Sequence, residues 1–294
     1  MFKNLSTGAI GIRTDLIGAL RLAKAYGFAG IEFNILEAAE LAARHGIDHV
    51  RHMFAEAGVV PGNFGFPVDF RKDEDTWRAD LEALPRLARL ARELGATRTA
   101  TWILPFSDEL PFAENFRWHV ERLRPAAQIL ADHGIRLGLE FVGPATARVG
   151  HRYGFLHSLD GMLALCAAIG TDNLGLLLDS YHWHTSHGNL DDLTKLSNAD
   201  VVVVHVNDAL PGIPVDELQD LTRALPCETG VINLAGFIQA LARIGYDGPV
   251  IVEPFSQRIR EMPPDEAVCI TADSLRQLWA AAGLESTGRN QARQ

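Results

Sequence analysis

Short apolar runs rich in β-branched residues alternate along the chain with longer segments in which apolar residues recur every three to four positions. The short runs have the length and composition of buried β-strands, and the longer segments have the period of amphipathic helices. Strands that alternate with helices predict a parallel sheet. Eight strands are predicted, over residues 5–10, 30–34, 59–66, 98–104, 136–142, 174–179, 200–207 and 249–255.

The segments between these strands also carry signals for where helices end. Residues 76–94 and 114–133 have clear helical periodicity, and the second segment is followed by Gly134. A glycine just past the last helical turn adopts the left-handed backbone that other residues avoid, so it ends the helix and turns the chain. The same pattern recurs in AYGFAG, ELGA, AIGT and RIGYDG. Loops of varied length after the strands argue against a solenoid repeat.

Eight βα units in one chain predict an α/β fold, a closed (β/α)8 TIM barrel that forms a single domain. The length of 294 residues suits one such barrel, for which roughly 250 residues are typical. A doubly wound open sheet is the alternative, but no GxGxxG motif follows the first strand to support a dinucleotide site. We expect the barrel over residues 1–284 and a flexible tail over residues 285–294, where the sequence becomes polar.

Polar residues at the ends of four successive strands are the main indication of chemistry. In a barrel of this type, side chains at the carboxyl ends of the strands face the active site, and charged residues elsewhere on a buried strand are costly. The fifth to eighth strands read RLGLEFVGP, LGLLLDSYHWH, VVVVHVNDA and VIVEPF. These segments place Glu140, Asp179, His205 and Glu253 at equivalent positions.

Three carboxylates and one imidazole at one barrel mouth predict a metal site. The three negative charges would repel one another unless a cation neutralised them. Oxygen donors with one nitrogen suit a divalent ion, and we expect one ion, with Mn²⁺ as the first choice. Mg²⁺ and Co²⁺ share this donor preference, and Zn²⁺ stays open. A lone glutamate or histidine at a strand end is often structural, so the prediction depends on all four positions together.

Three polar residues in the later loops are candidates for substrate contacts. His182 follows the sixth strand closely enough to bond a substrate hydroxyl or to orient a metal ligand. Asp208 follows the seventh strand, where it either bonds a neighbouring imidazole near the substrate or caps its own loop. Arg223 lies in the loop after the seventh strand, where it either binds substrate oxygens or forms a salt bridge.

Two residues on the earlier strands are also candidates. Glu32 and Trp102 fall at the ends of the second and fourth strands. An aromatic face beside polar groups is a common platform for a sugar, although a tryptophan at a barrel rim is equally often part of the core. We expect both residues to contact the substrate.

The composition limits the partners. The chain has 37 acidic and 27 basic residues, a net charge of −10 and only scattered lysines, so a nucleic-acid surface is not expected. The three cysteines have no CxxC spacing and indicate neither a disulfide framework nor a thiolate site. No stretch reaches the roughly 20 apolar residues of a membrane span, and the first residues lack the apolar core of a signal peptide. We expect a cytoplasmic protein without a membrane partner.

At these motifs the chain resembles the xylose-isomerase-like barrel superfamily, in particular the sugar phosphate isomerase/epimerase group that includes inosose isomerases and ketose 3-epimerases. The likeness covers about residues 5–280 and is strongest in GLEFVGP, LLLDSYHWH, VVHVNDA and VIVEP. The resemblance implies that the four strand-end residues hold the metal and that Glu140 and Glu253 also move protons. It places His182 near the substrate, and it implies a homodimer or a homotetramer.

The chain departs from the ketose 3-epimerases in two places. Those enzymes carry a second substrate-binding glutamate after the fifth-strand ligand and an arginine soon after the seventh-strand histidine, where this chain has Thr146 and the pair Pro211 and Gly212. Arg223 instead resembles the arginine of the inosose-isomerase-like branch. No glycine-rich phosphate cradle follows the seventh strand, so we expect a small, unphosphorylated carbohydrate or polyol substrate, cyclic or modified.

The resemblance implies a divalent-metal-dependent isomerase or epimerase of a sugar, keto-sugar or inosose, in which glutamates transfer a proton through an enediolate. A dehydratase or lyase that acts on a keto-sugar or keto-glycoside with the same metal site is the main alternative. An apurinic-endonuclease-like nuclease would need more zinc ligands and a basic groove, and the net charge of −10 argues against it. A non-catalytic sugar-binding barrel also stays open.

Overall fold

The computed structural model describes residues 1–284, in which eight parallel strands form a closed barrel with neighbours in chain order. The first strand pairs with both the second and the last, which closes the barrel. The predicted (β/α)8 TIM barrel is therefore confirmed. The barrel strands are β1 Phe2–Leu5, β2 Gly30–Phe33, β3 Val60–Gly65, β4 Arg98–Ile103, β5 Arg136–Phe141, β6 Leu174–Asp179, β7 Val201–Val206 and β8 Pro249–Val252.

Helices return the chain from each strand to the next outside the barrel. Several of them end at left-handed glycines, as the sequence predicts; Gly27, Gly95 and Gly170 are examples. Short 3-10 turns lie at Ala145–Arg148, Asn198–Asp200 and Val215–Glu217. The α-helices are α1 Leu16–Tyr26, α2 Ile35–His45, α3 Ile47–Ala57, α4 Glu74–Leu94, α5 Phe112–Asp132, α6 Leu159–Ile169, α7 Ser180–Thr185, α8 Leu190–Thr194, α9 Leu234–Arg243, α10 Gln257–Arg260 and α11 Pro264–Ala281.

The first predicted strand is misplaced. Residues 5–10 were expected to be extended, but β1 spans Phe2–Leu5 and the chain turns from Thr7 onward. The polar Asn4 conceals this strand in the sequence, because a buried strand of a parallel sheet is normally apolar. In the structure Asn4 is buried and its Nδ2 donates to Asn63 Oδ1 at 2.9 Å. A hydrogen bond to β3 therefore satisfies the buried Asn4, and β1 lacks the apolar pattern by which a buried strand is recognised.

The last strand is shorter than predicted. It ends at Val252, and Phe255 takes a positive φ of 38°. A left-handed phenylalanine is strained and cannot continue a strand. Glu253 consequently lies just beyond β8, where the chain leaves the barrel.

Two short strands lie outside the barrel and were not predicted. Phe106–Ser107 and Tyr153–Gly154 pair in antiparallel fashion and connect the loops that follow β4 and β5. Two-residue strands are too short to produce a periodic signal. They tie two loops together beside the carboxyl end of the barrel.

Within residues 1–284, no helix combines the length and the apolar character needed to cross a membrane. The tail predicted over residues 285–294 lies outside the described residues. The assignment of residues 1–284 to one barrel domain accordingly stays a prediction at its carboxyl boundary.

Candidate metal centre

Strands β5 to β8 bring Glu140, Asp179, His205 and Glu253 together at the carboxyl end of the barrel. One ligand atom of each residue lies within 4.8 Å of the corresponding atoms of the other three. His205 Nδ1 is 3.3 Å from Glu253 Oε2, 3.8 Å from Glu140 Oε1 and 3.9 Å from Asp179 Oδ2. Donor atoms bound to one ion at about 2.0–2.3 Å are separated by comparable distances. The four residues therefore form a candidate metal-binding group.

The fold holds Asp179 in place from two directions. It is the last residue of β6 and also caps α7, because its Oδ1 accepts the Tyr181 amide at 2.6 Å. Its Oδ2 accepts from Asn207 Nδ2 at 3.2 Å and from Arg223 Nη1 at 2.9 Å. The carboxylate is fully buried, so its orientation is set by these neutral and cationic donors.

The carboxyl group of Glu140 is the least satisfied member of the group. Burial raises its pKa well above the usual range, and Glu253 and Asp179 add to this effect, while His205 opposes it. Its Oε1 is buried and has no hydrogen-bond partner among the described residues. A buried carboxylate without a partner is costly. A divalent cation beside this oxygen would satisfy it, so the residues present fit a metal.

The other two carboxyl groups are held in the ionised form. Burial alone would raise the pKa of Asp179, but Arg223, His182 and His205 lower it overall. Burial likewise opposes the ionisation of Glu253, yet His205 and Arg223 keep its pKa below the usual range. The group therefore retains the negative charge that a cation requires.

His205 responds to the same three carboxyl groups. Burial alone would lower its pKa, but Glu253, Glu140 and Asp179 raise the pKa to about 10. An imidazole binds a metal only as the neutral base, so a cation would replace this proton.

Arg223 is part of this centre. Its guanidinium is buried, with Nη1 3.4 Å from Glu253 Oε2 in addition to its bond to Asp179, and it lies over the ring of Phe255 at 4.6 Å. Burial lowers its pKa, but the surrounding carboxylates, Asp179 first, raise it overall. Of the two roles considered, the structure shows the salt bridge, made to two members of the metal-binding group.

A cavity of about 410 Å³ opens beside the group. Its wall includes Glu140, Glu253 and Arg223, together with the predicted substrate residues His182 and Trp102. The Trp102 side chain is 44% exposed and lies at the rim. The structure therefore brings these two predicted residues beside the metal-binding group.

The His182 ring has a defined orientation in this cavity. Its Nδ1 accepts the Gly143 amide at 3.2 Å, and its Nε2 lies 3.2 Å from Arg223 Nη2, a group that can only donate. Burial lowers the pKa of His182, which favours the neutral ring. Nε2 lies 3.7 Å from Asp220 Oδ1 and 4.0 Å from Glu140 Oε1. The ring therefore contacts the Gly143 backbone and Arg223 beside the carboxyl group of Glu140.

Glu32 lies in a different place from the one expected. Its carboxylate accepts from Asn63 Nδ2 at 2.7 Å and from Ser6 Oγ at 3.3 Å. It lines a separate cavity of about 370 Å³ at the ends of β1 to β3. The structure does not bring Glu32 to the cavity beside the metal-binding group, because β2 lies across the barrel from β6.

Asp208 caps its loop. Its carboxylate is fully buried and accepts the backbone amides of Ala209 at 2.9 Å, Gly230 at 2.7 Å and Ile232 at 2.9 Å. These bonds use both oxygens to fold the segment after β7. The expected substrate contact is corrected accordingly, and the loop-capping alternative describes the side chain.

Two residues near the centre escaped the sequence analysis. Asn207 is fully buried and its amide bonds to Asp179; its place directly after β7 was the available signal. Asp220 lines the cavity and accepts from Arg223 Nη2 at 2.8 Å. It belongs to an irregular loop without periodicity, so only its spacing of three residues from Arg223 pointed to it.

Comparisons with known proteins agree with this geometry. A family model described as a xylose isomerase-like TIM barrel matches residues 20–278. The inosose isomerase of Halalkalibacterium halodurans is 25% identical over 263 residues, which are 89% of this chain and 90% of that protein. The L-ribulose 3-epimerase of Mesorhizobium japonicum is 23% identical over 92% of this chain and 85% of that protein. The 3-dehydroshikimate dehydratase of Pseudomonas putida is 26% identical over 93% of this chain, but over only 41% of that longer protein.

Solved structures show the same architecture. A xylose isomerase domain protein from Alicyclobacillus acidocaldarius has a TM-score of 0.85 and 32% identity, and the match covers 96% of this chain and 99% of that one. A structure described as the IOLI protein with a binding zinc atom has a TM-score of 0.77 and 22% identity, over 97% of this chain and 100% of that one. At that identity the second likeness concerns the fold alone.

Proposed function

Because the chain belongs to the xylose isomerase-like TIM barrel family, we propose that it is a divalent-metal-dependent isomerase or epimerase of a sugar, keto-sugar or inosose. The resemblance inferred from the motifs is confirmed, and the chain is an enzyme of the sugar isomerase and epimerase type with dehydratases among its relatives. The observation that carries the specific proposal is the four-residue group at the barrel mouth, in which a buried oxygen of Glu140 has no hydrogen-bond partner within residues 1–284.

We propose Glu140, Asp179, His205 and Glu253 as the metal ligands, with Mn²⁺ as the first candidate. A neighbour of the same fold is described with zinc, so we propose Zn²⁺ as an alternative to Mn²⁺, beside Mg²⁺ and Co²⁺. When bound, the cation supplies Lewis acidity that stabilises negative charge on a substrate carbonyl oxygen. The remaining chemistry belongs to the side chains.

The proposed reaction begins with the removal of a proton from a carbon next to the carbonyl. One of the two glutamates, Glu140 or Glu253, takes this proton, and the other returns a proton to the neighbouring carbon or to the opposite face. Both carboxyl groups lie in the wall of the same cavity. A base must reach the carbon within hydrogen-bonding distance, and two bases on one cavity meet that requirement for both steps.

We propose that His182 and Trp102 orient the substrate. The His182 ring lies in the cavity wall, where it contacts the substrate, and Trp102 offers an indole face to the apolar side of a sugar or polyol ring. Arg223 acts through its contacts, because it holds Asp179 and Glu253 in fixed positions. Its removal would therefore disturb the metal-binding group as well as the cavity wall.

The test is deuterium exchange in D₂O with protein reconstituted with Mn²⁺ and incubated with ketoses, inososes and 3-keto-sugars. Proton NMR should show metal-dependent loss of one C–H signal and the appearance of an isomer or epimer. Protein stripped with a chelator serves as the control. If the protein binds one equivalent of metal and no compound of the panel exchanges, the proposed enolisation is wrong.

A dehydratase is the second candidate, and the dehydratase relative that matches 93% of this chain supports it. Elimination starts from the same enediolate and needs the same base. The two outcomes differ in the products, because elimination releases water or an alcohol and leaves an unsaturated carbonyl compound. Product analysis in the same NMR experiment separates them.

A further inference from the structure

Arg71 lies at the rim of the barrel mouth, in the loop that follows β3. Its guanidinium packs between two aromatic rings, 4.3 Å from the centre of Phe70 and 4.1 Å from that of Trp102. Its Nη2 donates to the backbone oxygen of Trp102 and, at 3.4 Å, to Thr101 Oγ1. The cation is therefore fixed against the tryptophan whose side chain also lines the cavity beside the metal-binding group.

The charge of Arg71 has no carboxylate partner within 4.0 Å in residues 1–284, and its Nε and Nη1 find no protein acceptor there. Arg98 bonds to Asp247 and Arg122 lies 3.1 Å from Glu74, whereas Arg136 and Arg148 donate only to backbone oxygens within the described residues. Burial lowers the pKa of Arg71 to about 10, and only the more distant Asp69 opposes this effect. The group is still a cation at neutral pH, and it is partly desolvated without a counter-ion.

The guanidinium borders open space. Arg71 lines a cavity of about 530 Å³ that shares Leu104 and Phe106 with the 410 Å³ cavity beside the metal-binding group. Asp108 and Glu109 also lie in its wall. The Asp108 carboxylate already accepts from His151 Nδ1 at 2.9 Å and from the Arg152 amide at 2.9 Å. The two acids disfavour a ligand with two negative charges more than one with a single charge, and the Nε and Nη1 hydrogens of Arg71 each leave one hydrogen bond for an anion.

We propose that Arg71 binds a carboxylate group of the substrate, so that the enzyme acts on a keto-sugar or cyclic polyol that carries a carboxylate. This inference rests on the proposed function for the reaction, but the anion site itself does not depend on turnover. The ring of the substrate lies beside Trp102, and one oxygen of its carboxylate accepts a hydrogen bond from Nε or Nη1 of Arg71. A phosphate is the competing anion, and the two cavity acids argue against it.

The first test compares three probes of the same ring: D-glucuronate, D-glucose and D-glucose 6-phosphate. Their binding to the full chain is measured by calorimetry or ligand-detected NMR at low salt. Glucuronate should bind about 10-fold to 100-fold more tightly than glucose, the effect of a hydrogen bond to a charged group. Equal binding of glucuronate and glucose overturns the proposal. Tighter binding of glucose 6-phosphate than of glucuronate also overturns it, in favour of a phosphate site.

The second test changes Arg71. Arg71→Gln should bring the glucuronate-to-glucose ratio to about one, while Arg71→Lys should retain part of it because the charge stays but the position of the donor changes. Arg89→Gln, on the exposed side of α4, is the matched control and should leave the ratio unchanged. A ratio that survives Arg71→Gln contradicts the proposal, and the wild-type ratio still tests it if the variant does not fold.

These binding measurements also separate the two proposals. If the glucuronate preference depends on Arg71 but no compound exchanges deuterium, the anion site stands and the proposed isomerase reaction fails. If neutral ketoses exchange deuterium and Arg71→Gln leaves both binding and exchange unchanged, the reaction stands and the anion site fails.

Discussion

The two halves of the barrel mouth both carry buried polar side chains, but they satisfy them differently. On the side of β1 to β3, both oxygens of Glu32 accept hydrogen bonds, from Ser6 and from Asn63. On the side of β5 to β8, three carboxyl groups surround His205, and an oxygen of Glu140 has no partner among the described residues. Glu32, whose two oxygens accept from neutral donors, needs no ligand to satisfy its hydrogen bonds.

The difference indicates how to separate structural from functional polar groups at the mouth of a barrel. A polar group whose hydrogen bonds are all made within the protein stabilises the fold, because burial of an unmet group is costly. A cluster whose charges exceed its internal donors requires something from outside, such as a cation. Glu32 and Glu140 look alike at their strand ends, and only their partners distinguish them.

The largest expected effect contrasts two substitutions of the same type. Glu253→Gln should lower kcat/KM for the substrate identified in the exchange experiment by about 10³-fold, within the range for loss of a general base. Glu32→Gln should lower it by less than about 10-fold, since that carboxylate is bound only to neutral protein groups. Steady-state kinetics with saturating metal measures both. Equal losses in the two variants would break the contrast between the halves.

A second prediction concerns metal affinity. His205→Ala removes one of four donors and should weaken binding of Mn²⁺ or Zn²⁺ by at least about 100-fold, more than loss of a residue that only supports a ligand. Asn63→Ala should leave metal affinity within about twofold but lower the free energy of unfolding by about 1–3 kcal/mol, because Asn4 and Glu32 lose a partner. Competition with a chromophoric chelator and chemical denaturation measure the two quantities. A large loss of metal affinity in Asn63→Ala would contradict the prediction, because it would show that the two halves of the barrel mouth belong to one site.

The smallest expected effect depends on pH and concerns a buried histidine outside the metal-binding group. His119 of α5 is buried against Phe70, and burial lowers its pKa to about 4. The unfolded chain takes up this proton near pH 6.5 and the folded chain does not, so the folded state loses stability as the pH falls. The free energy of unfolding should therefore fall by about 2 kcal/mol between pH 6.5 and pH 5 because of His119.

Denaturation curves of the wild-type protein and of His119→Gln at the two pH values measure this contribution. The variant should lose less stability than the wild type over the same interval. Identical pH dependence of the two proteins would show that His119 is not buried in its neutral form.

The sequence predicted the barrel and the residues of the metal-binding group because both follow from local patterns. Glu140, Asp179 and His205 each interrupt an apolar run at its carboxyl end, and parallel strands bring such ends together. Glu253 could be found although β8 stops one residue earlier, since the position relative to the apolar run is what matters.

The remaining features depend on contacts between distant segments. Asn4 conceals β1 because its partner lies on β3, and Glu32 differs from Glu140 only through Asn63 and Ser6. Asp220 reaches the cavity from an irregular loop, through its bond to Arg223. Apart from the spacing of three residues between Asp220 and Arg223, these pairings leave no periodic or compositional trace, so sequence patterns alone could not reveal them.

The pair of short strands outside the barrel has a consequence for engineering. Phe106–Ser107 and Tyr153–Gly154 bond to each other, so the loops after β4 and β5 form one exchangeable unit rather than two. The segment with Asp220 and Leu221 borders the same cavity but has no part in that pairing. A loop library should therefore recombine the first two loops only as a matched cassette. Thr146 and Asp220 should be kept together with the metal-binding group, because Thr146 Oγ1 donates to the Leu218 carbonyl at 2.7 Å and Asp220 accepts from Arg223.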